Sequence, residues 1–312
     1  MSILSRPYFH DEAAAFEHVE AMLWPQGPVC HHCGSMEKHY ALKGGRTKPS
    51  KKNPHGLEIH GLYKCRDCRK KFTVRMGTIF EESHLPLHKW LQALHAMCAS
   101  KKGVSAHQLH RALEITYKSA WFMCHRIREA MRSDDFTPMG GAGKFVEVDE
   151  TYIGRLTGME VTRSAAHKNV VLTLVERGGI ARSFHIDSAT VARVLPIVNA
   201  NIHKESIFLS DEARVYDNIG PEFAAHGTVN HGRDEYVRGV IHTNTVEGYY
   251  SIFKRGMKGV YQHCAEHHLH RYLAEFDFRY SNRVALGIDD AVRSLIALKG
   301  AKGKRLTYRQ PA

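Results

Sequence analysis

The chain has 312 residues, of which 43% are hydrophobic and 24% charged, so it is long and apolar enough for two or three compact domains. This composition excludes a disordered chain and a peptide-sized module. No segment approaches the roughly 18 consecutive apolar residues of a membrane span, and the first residues lack the apolar run of a signal peptide. We therefore expect a cytoplasmic protein without a membrane partner.

The positive charge is concentrated near the start of the chain. Lys and Arg number 44 against 32 Asp and Glu, a net charge of +12. Residues 28–75 carry 12 basic and 3 acidic side chains, or +9, which leaves +3 for the remainder. This imbalance predicts a polyanionic partner that is met first by the N-terminal part.

The N-terminal part combines a helix with a candidate metal site. Apolar residues at helical spacing predict a helix over residues 11–24. Four of the seven cysteines form two CxxC pairs, Cys30 with Cys33 and Cys65 with Cys68. In a chain without a signal peptide, such pairs favour metal ligation over disulfides. The spacing suits a tetrahedral Zn²⁺ site that would add folding free energy to a polar segment. A Cys₂His₂ set that uses His31 or His32 is the alternative.

Residues 87–131 show successive helical patterns. The pair SAHQLHRAL and KSAWFMCHRIREAM, joined by EITY, predicts a helix-turn-helix. His125, Arg126 and Arg128 are then candidates for DNA contact, although a plain helical bundle with a solvated basic face would look similar. Residues 133–143 are rich in Gly and lack an apolar period, which predicts a domain boundary.

Beyond this boundary the pattern is that of an α/β domain. Short runs rich in Val, Ile, Phe and Thr predict three antiparallel strands, Phe145–Ile153, Asn169–Glu176 and Ala181–Ile186. A helix (190–202), a short strand (206–209) and a long helix from Asn244 follow. This alternation predicts a mixed sheet.

Two aspartates occupy unusual positions in the predicted strands. Alternation places Asp149 on one face of its strand with Glu147 and Thr151. A carboxylate within an apolar strand is costly unless something binds it. Asp211 ends the strand IFLSD, at the sheet edge where α/β domains bind ligands. The two aspartates could therefore meet across neighbouring strands.

The long helix offers a third group. Asn244, Glu247 and Lys254 are spaced to share one helix face. Together with the aspartates they predict an oxygen-rich site for Mg²⁺ or Mn²⁺, in which two ions would serve phosphodiester chemistry. A single strand aspartate is more often structural, but three acids on elements in this order favour a metal-ion nuclease.

Over nearly its whole length the chain resembles the transposases of the IS1595 group, also called ISXO2-like, of bacterial insertion sequences. The matching stretches include CHHC with CRDC, KFVEVDETYIG, FLSDE and HTNTVEGYYSIFKRGMKGVYQHCAEHHLHRYLAEFDFRYSNR. The resemblance implies a zinc ribbon and helix-turn-helix that hold terminal inverted repeats, followed by a ribonuclease-H-like catalytic domain of the DDE type. The implied domains are 1–82 (N-terminal helix and zinc ribbon), 83–135 (helix-turn-helix region), 144–298 (catalytic) and 299–312 (basic tail).

The resemblance also assigns roles to residues. Asp149 and Asp211 match the first two acids, and Glu247 the third, with Lys254 as the following basic residue. Some members use Asn as the third metal-site residue, so Asn244 is the alternative. Arg255 and Lys258, beside this site, are expected to hold DNA phosphates together with Lys254.

The implied function is a DNA transposase associated with the bacterial nucleoid. It would cleave the element's ends and join the 3′-hydroxyls to double-stranded target DNA by a two-metal-ion mechanism, as a homo-oligomer in the synaptic complex. One alternative is a DNA-binding regulator derived from an inactive transposase. Another is a resolving or repair nuclease without strand transfer. The His-rich segment 261–276 is expected to be a helix that packs through its apolar residues.

Overall fold

The computed structural model of the chain describes residues 2–51, 53–156 and 158–307. The chain forms two compact units. The first comprises Met1–Ala99, Ala106–Met131 and Asp290–Ala312, and the second Ser100–Ser105 and Arg132–Asp289. Among the helices of the described ranges, none combines the length and apolar character that crossing a bilayer requires.

The elements follow the predicted order. The helices are α1 (Glu12–Leu23), α2 (Leu87–Ala99), α3 (Ala106–Ala112), α4 (Tyr117–Met131), α5 (Val191–Asn201), α6 (Arg214–Asp217), α7 (Asn244–Gly256), α8 (Leu269–Ser281) and α9 (Asp290–Lys299). The strands are β1 (His39–Ala41), β2 (Tyr63–Cys65), β3 (Lys71–Phe72), β4 (Phe145–Ile153), β5 (Asn169–Glu176), β6 (Ala181–Ile186), β7 (Ile207–Ser210), β8 (Ala225–Thr228), β9 (Val237–Arg238) and β10 (Ile241–His242). The predicted N-terminal helix is confirmed, and the Asp11 side chain caps it by accepting from the Ala14 N–H at 2.8 Å.

The first unit has little apolar material around its small sheet. Strands β1, β2 and β3 pair antiparallel in that order. The buried residues of this part are Cys30, Cys65 and Phe72, with Trp24 and Tyr63 packed against them. So few apolar side chains leave the sheet dependent on an additional crosslink.

Helices α3 and α4 are joined by a short turn, and α4 buries the side chains of Ala120, Cys124 and Ile127. The expected DNA-facing side of α4 is buried as well. Arg126 is 5% exposed and Arg128 2% exposed. Arg126 donates to the backbone carbonyls of Glu81, at 2.8 Å, and Leu306, at 3.1 Å. The expectation that these two arginines contact DNA is therefore corrected, because tertiary packing withdraws them from solvent.

The C-terminal boundary also differs from the sequence expectation, which placed residues 290–298 in the catalytic domain. Helix α9 packs in the first unit, where Ala297 and Leu298 are buried and Arg293 donates to the Cys98 carbonyl at 2.9 Å. Within the expected basic tail, Ala301 is buried and its carbonyl accepts from the Ile79 N–H. Residues 308–312 lie outside the described residues.

A five-stranded mixed sheet organises the second unit. Its order is β6-β5-β4-β7-β8, antiparallel from β6 to β4 and parallel from β4 to β8. The mixed sheet and the predicted bounds of β4, β5 and β6 are confirmed. One face packs through Val146 and Val148 toward α5 and α6. The other packs under α7 and α8, around Val171, Tyr250 and Phe276.

The segment between α7 and α8 departs from the predicted continuous helix. A π-helical turn, Met257–Tyr261, extends α7, and residues 262–265 are not helical. A 3₁₀ turn, Glu266–His268, then precedes α8. His263 and His267 therefore do not share a helix face, because the chain leaves the helix between them.

Asp277 fastens α8 to its neighbours. Its carboxylate accepts from the Ser183 N–H at 2.8 Å, the Ser183 hydroxyl at 2.7 Å and the Tyr249 hydroxyl at 2.6 Å. Burial outweighs these bonds and raises the pKa of Asp277 to about 6, from an ordinary value of 3.8.

This shift predicts a pH-dependent contribution to stability. Between pH 4 and 6 the folded state keeps a proton on Asp277 that the unfolded chain releases, so stability falls as pH rises through this window. We expect Asp277→Asn to remove this component. The free energy of unfolding, measured from pH 3.5 to 7 for both proteins, would show a wild-type-minus-variant difference that declines with pH. A constant difference would contradict the assignment.

Candidate active site

The two predicted aspartates lie side by side at one edge of the sheet. Strands β4 and β7 pair in parallel, with Glu147 opposite Leu209. Two residues further along the chain come Asp149, on β4, and Asp211, directly after the end of β7. Because neighbouring strands are about 4.8 Å apart, this register places the two carboxylates on adjacent backbones. The prediction that they meet across neighbouring strands is supported by the pairing.

Helix α7 is held against β4 by a buried acid. The Glu147 side chain is 0% exposed and accepts from the backbone N–H groups of Thr245, at 2.7 Å, and Val246, at 3.0 Å. It also accepts from the Thr245 hydroxyl at 2.7 Å and from Arg177 Nε at 2.5 Å. A carboxylate that receives the first N–H groups of a helix fixes and electrostatically stabilises that terminus.

A second contact fixes α7 one turn later. The buried Tyr250 hydroxyl donates to the backbone carbonyl of Asp149 at 2.6 Å and lies 3.1 Å from that of Val171. The helix that carries Glu247 is thus bonded to the strand that carries Asp149, at the level of Asp149 itself.

Glu247 lies at the solvent side of this arrangement. Its Oε1 accepts from the Thr243 hydroxyl at 2.9 Å and is 3.5 Å from His231 Nε2. Asn244, one turn earlier on the same helix face, is exposed. The loop of His231 is braced by Glu212, which accepts from the His231 and Gly232 N–H groups at 2.9 and 3.0 Å.

The acids repel one another electrostatically. Burial, followed by the charges of Asp211, Glu150 and Glu247, raises the pKa of Asp149 to about 8. Burial also raises the pKa of Asp211. Glu150, on the opposite face of β4, receives the Tyr216 hydroxyl, and its pKa is raised by burial. A cationic ligand at this edge would relieve the repulsion around Asp149.

The four predicted zinc ligands converge more closely than the acids do. The Sγ atoms of Cys30 and Cys68 are 3.6 Å apart, as are those of Cys33 and Cys65, and all four lie within 4.8 Å of one another. In the described part of the chain, no other set of three or more His, Cys, Asp or Glu side chains gathers its ligand atoms this tightly. The oxygens of the predicted acids are therefore not closed around one point as the four sulfur atoms are.

The three predicted basic residues follow Glu247 along α7 and its π-helical extension. Lys254 lies with its Nζ 5.8 Å from the centroid of the Tyr250 ring. Arg255 is exposed and bonds Ser251 on the preceding turn. Lys258 is exposed on the π-helical turn.

Sequence reasoning missed the supporting residues of this site. Glu147 was placed on the face of Asp149, but no role was assigned to it. The signal was available, since a second carboxylate within the same apolar strand also requires a partner. His231 and Tyr250 gave no such signal, because a single His or Tyr is compatible with many environments.

Comparison with known proteins identifies the class. The family profile of the ISXO2-like transposase domain matches residues 140–281, and that of the transposase zinc-ribbon domain matches residues 10–71. A protein named as an uncharacterised protein in the transposable element ISH50 of Halobacterium salinarum is 29% identical over 289 residues, covering 87% of this chain and 91% of that protein.

Two solved assemblies contain chains that are weakly similar to this chain. The simian T-cell lymphotropic virus intasome with PP2A regulatory subunit B56 gamma gives 13% identity and a TM-score of 0.29, over 54% of this chain and 67% of that one. A pre-cleavage Mos1 transpososome gives 13% identity and a TM-score of 0.28, over 67% and 74%. Similarity this low carries no weight for the function of this chain.

The two profile matches lie on the two structural features described above, the four-cysteine ribbon and the mixed sheet with its acidic edge. They define a transposase with a zinc ribbon and a DDE transposase domain. The chain belongs to the IS1595, or ISXO2-like, family of transposases.

The anchoring of α7 generates a prediction about Glu147. Glu147→Gln would turn an amide group toward N–H donors and leave Arg177 without its buried counter-charge, so we expect the protein to lose about 3–5 kcal/mol of unfolding free energy. Chemical denaturation measures the loss. The matched control is Glu205→Gln, an exposed acid in the same unit, which should change stability little. A loss for Glu147→Gln no larger than that of the control would contradict the anchoring role.

Proposed function

We propose that this transposase cleaves the ends of its element and joins the freed 3′-hydroxyls to target DNA with Asp149, Asp211 and Glu247 as its catalytic acids. One observation carries the proposal. The parallel pairing of β4 and β7 sets the two aspartates side by side, and the contacts of Glu147 and Tyr250 hold the helix of Glu247 against the same strand.

The residues at this edge fit divalent cations. The donor set is made of carboxylate oxygens, which suit Mg²⁺ or Mn²⁺. Burial, together with the charges of Asp211, Glu150 and Glu247, raises the pKa of Asp149, so a bound cation would stabilise its ionised form. Two bound ions would activate the attacking oxygen and stabilise the leaving one in phosphodiester hydrolysis and transesterification. The chain's own contribution is to hold the acids on a strand and a helix that are bonded to each other.

Glu247 is the proposed third acid, and Asn244 is the alternative. Glu247 is the better candidate because Thr243 and His231 hold its carboxylate. The charge of this carboxylate also contributes to the raised pKa of Asp149. An amide oxygen is also a weaker ligand for a hard cation than a carboxylate. Asn244 lies close enough on the same helix face to act as a neighbour of the site.

Basic residues beside the acids are proposed to hold DNA. Lys254, Arg255 and Lys258 extend from the helix of Glu247, and the latter two are exposed. Cationic side chains in this position would bind phosphates on either side of the cleaved bond, independently of base sequence.

The first unit is proposed to recognise the terminal inverted repeats. Its zinc ribbon lies in the segment with net charge +9, and α3 and α4 provide the helix pair predicted to be a helix-turn-helix. Zn²⁺ would be bound by Cys30, Cys33, Cys65 and Cys68. Their shortest Sγ separations of 3.6 Å are close to the roughly 3.8 Å of a tetrahedral site with Zn–S bonds of about 2.3 Å. Two copies of the chain would hold the two ends in the synaptic complex.

Isosteric substitutions test whether the three acids are catalytic. Asp149→Asn, Asp211→Asn and Glu247→Gln should each slow cleavage and joining by about 100-fold or more, since each removes charge that holds the catalytic cations. Binding of end DNA should change little, because basic residues supply most of it. The assay uses the full chain, labelled DNA that flanks the reading frame, and Mg²⁺ or Mn²⁺.

The same assay separates the alternatives. Glu205→Gln should behave as wild type. If the Glu247 variant stays active and Asn244→Ala is inactive, the third residue is Asn244. End binding by wild-type protein without any cleavage would instead favour a DNA-binding regulator, and cleavage without joining would favour a nuclease.

The zinc ribbon gives a separate prediction. Cys65→Ser should lose the single bound zinc and unfold the β1–β3 sheet, because metal binding supplies most of the folding free energy of so small a sheet. Metal analysis and proteolysis of the purified chain measure both effects. Cys98→Ser, in the same unit but outside the cluster, should retain zinc. Full zinc content in Cys65→Ser would show that other ligands bind the metal.

A further inference from the structure

The two strand aspartates each have one carboxylate oxygen held by the backbone that follows them. Asp149 Oδ1 accepts from the Glu150 N–H at 2.8 Å, and Asp211 Oδ1 accepts from the Ala213 N–H at 3.0 Å. Within the part of the chain that the structure describes, Oδ2 of each aspartate accepts no hydrogen bond. Each carboxylate is therefore fixed through one oxygen and leaves the other open to a ligand.

Glu247 has the same arrangement, but its donor is a side chain. The Thr243 hydroxyl donates to Glu247 Oε1 at 2.9 Å, whereas Oε2 accepts no hydrogen bond from the described residues. A backbone N–H is present whatever residue supplies it. A hydroxyl is not, so the orientation of the Glu247 carboxylate depends on the identity of residue 243.

Thr243 is placed at the helix start but does not serve it as a cap. It is 1% exposed and directly precedes α7, where a threonine oxygen ordinarily accepts from a helix N–H. Its side chain makes no such bond. Glu147 receives the N–H groups of Thr245 and Val246 instead. The Thr243 oxygen is thus left to accept from another donor.

His231 is that donor. Its Nε2 lies 3.4 Å from Thr243 Oγ1 and 3.5 Å from Glu247 Oε1. Because the Thr243 hydroxyl gives its hydrogen to Glu247, its oxygen can only accept from His231, which assigns a proton to Nε2. Both contacts are long, so His231 supports the bond between Thr243 and Glu247 rather than replacing it.

The loop that carries His231 is tied to the end of β7. Glu212, which directly follows Asp211, accepts from the N–H groups of His231 at 2.9 Å and of Gly232 at 3.0 Å. Contacts therefore lead from the strand end of Asp211 to the carboxylate of Glu247. They connect the second acid with the third by a route separate from the one that holds α7 against β4.

A carboxylate fixed in this way suits a cation with strict geometry. Mg²⁺ demands near-octahedral coordination at about 2.0–2.1 Å, whereas Ca²⁺ accepts oxygens at about 2.3–2.6 Å in more varied arrangements. Hydrogen-bond partners that orient a ligating group typically change metal affinity by about 10- to 100-fold when they are removed. The hydroxyl behind Glu247 has this relation to a cation at the acidic edge.

We propose that Thr243 is a positioning residue that, supported by His231, fixes the orientation of the Glu247 carboxylate and thereby favours Mg²⁺ or Mn²⁺ over Ca²⁺. Thr243 acts through Glu247 and touches neither cation nor DNA. The inference rests on the proposed function, because it takes Glu247 to be a ligand of the catalytic cations.

Two substitutions at position 243 separate the hydroxyl from the rest of the side chain. Thr243→Val keeps the branched shape without the hydroxyl, and Thr243→Ser keeps the hydroxyl. The Glu247 side chain is 45% exposed, so water can replace the lost bond and the fold should persist. The electron paramagnetic resonance signal of free Mn²⁺ measures binding to the full-length chain purified with Zn²⁺. We expect Thr243→Val to weaken binding about tenfold and Thr243→Ser to stay within about twofold of wild type.

Competition by Ca²⁺ supplies a readout that general damage to the fold would not produce. In Thr243→Val the affinity for Ca²⁺ should fall less than that for Mn²⁺, so the ratio of the two affinities should shift several-fold toward Ca²⁺. His231→Ala should shift it in the same direction by less, because both contacts of His231 are long. In the double variant the two losses should not add, since both act on one carboxylate.

Thr190→Val and His203→Ala are the matched controls. Thr190 precedes α5 and, like Thr243, makes no capping bond through its side chain. His203 is an exposed histidine of the same unit and precedes β7, whereas Asp211 follows that strand. Both variants should bind Mn²⁺ and Ca²⁺ as the wild-type chain does.

Glu247→Gln, measured alongside, distinguishes this inference from the function on which it rests. If Glu247→Gln binds Mn²⁺ as wild type does, the proposed function loses its third acid and this inference falls with it. If Glu247→Gln loses Mn²⁺ but Thr243→Val matches Thr190→Val, Thr243 has no positioning role and the catalytic assignment stands. Equal losses of both ions in Thr243→Val, or no recovery in Thr243→Ser, would show a merely structural role and overturn the inference.

Discussion

The buried carboxylate of Glu147 joins the central strand of the sheet to the first turn of α7, and the geometry of the acidic edge depends on it. Thr243 precedes that helix, yet its side chain does not cap the helix N-terminus. Glu147 receives the N–H groups of Thr245 and Val246 instead. The Thr243 hydroxyl is then available to Glu247. Glu147 thereby fixes the position of α7 and also leaves the Thr243 hydroxyl free to bond Glu247.

Opposite charges are separated along α7. Its first turn carries Glu247 beside the strand aspartates, and its last turn and π-helical extension carry Lys254 and Lys258. In the proposed function, the negative charge of these acids would repel a DNA strand until cations neutralise it. The lysines would attract the same strand without any cation. The proposed function thus places DNA retention and catalysis at opposite ends of one helix, which is why loss of an acid should spare DNA binding.

The sequence predicted those features that depend on local pattern. Strand β4 is a nine-residue run rich in β-branched and aromatic residues, which predicted its bounds, and the period of two along a strand then gave the face of Asp149. Features that depend on distant partners did not follow. Glu147 contacts residues about a hundred positions away, and the buried Arg126 donates to the carbonyls of Glu81 and Leu306, which are also distant in the sequence. The sequence pattern of a basic helix face is the same whether solvent, DNA or protein contacts that face. The catalytic roles themselves, and DNA binding by the first unit, remain predictions.

The two kinds of metal site differ in what the surrounding protein can do without them. The second unit buries apolar clusters on both faces of a five-stranded sheet, so its acidic edge is built on a core that needs no metal. The β1–β3 sheet has strands of three, three and two residues over a few apolar side chains. Such a sheet cannot offset its own ordering entropy by burial. In the proposed function, zinc would therefore belong to the fold of the first unit, whereas cations bound at Asp149 and Asp211 would belong to the reaction of the second.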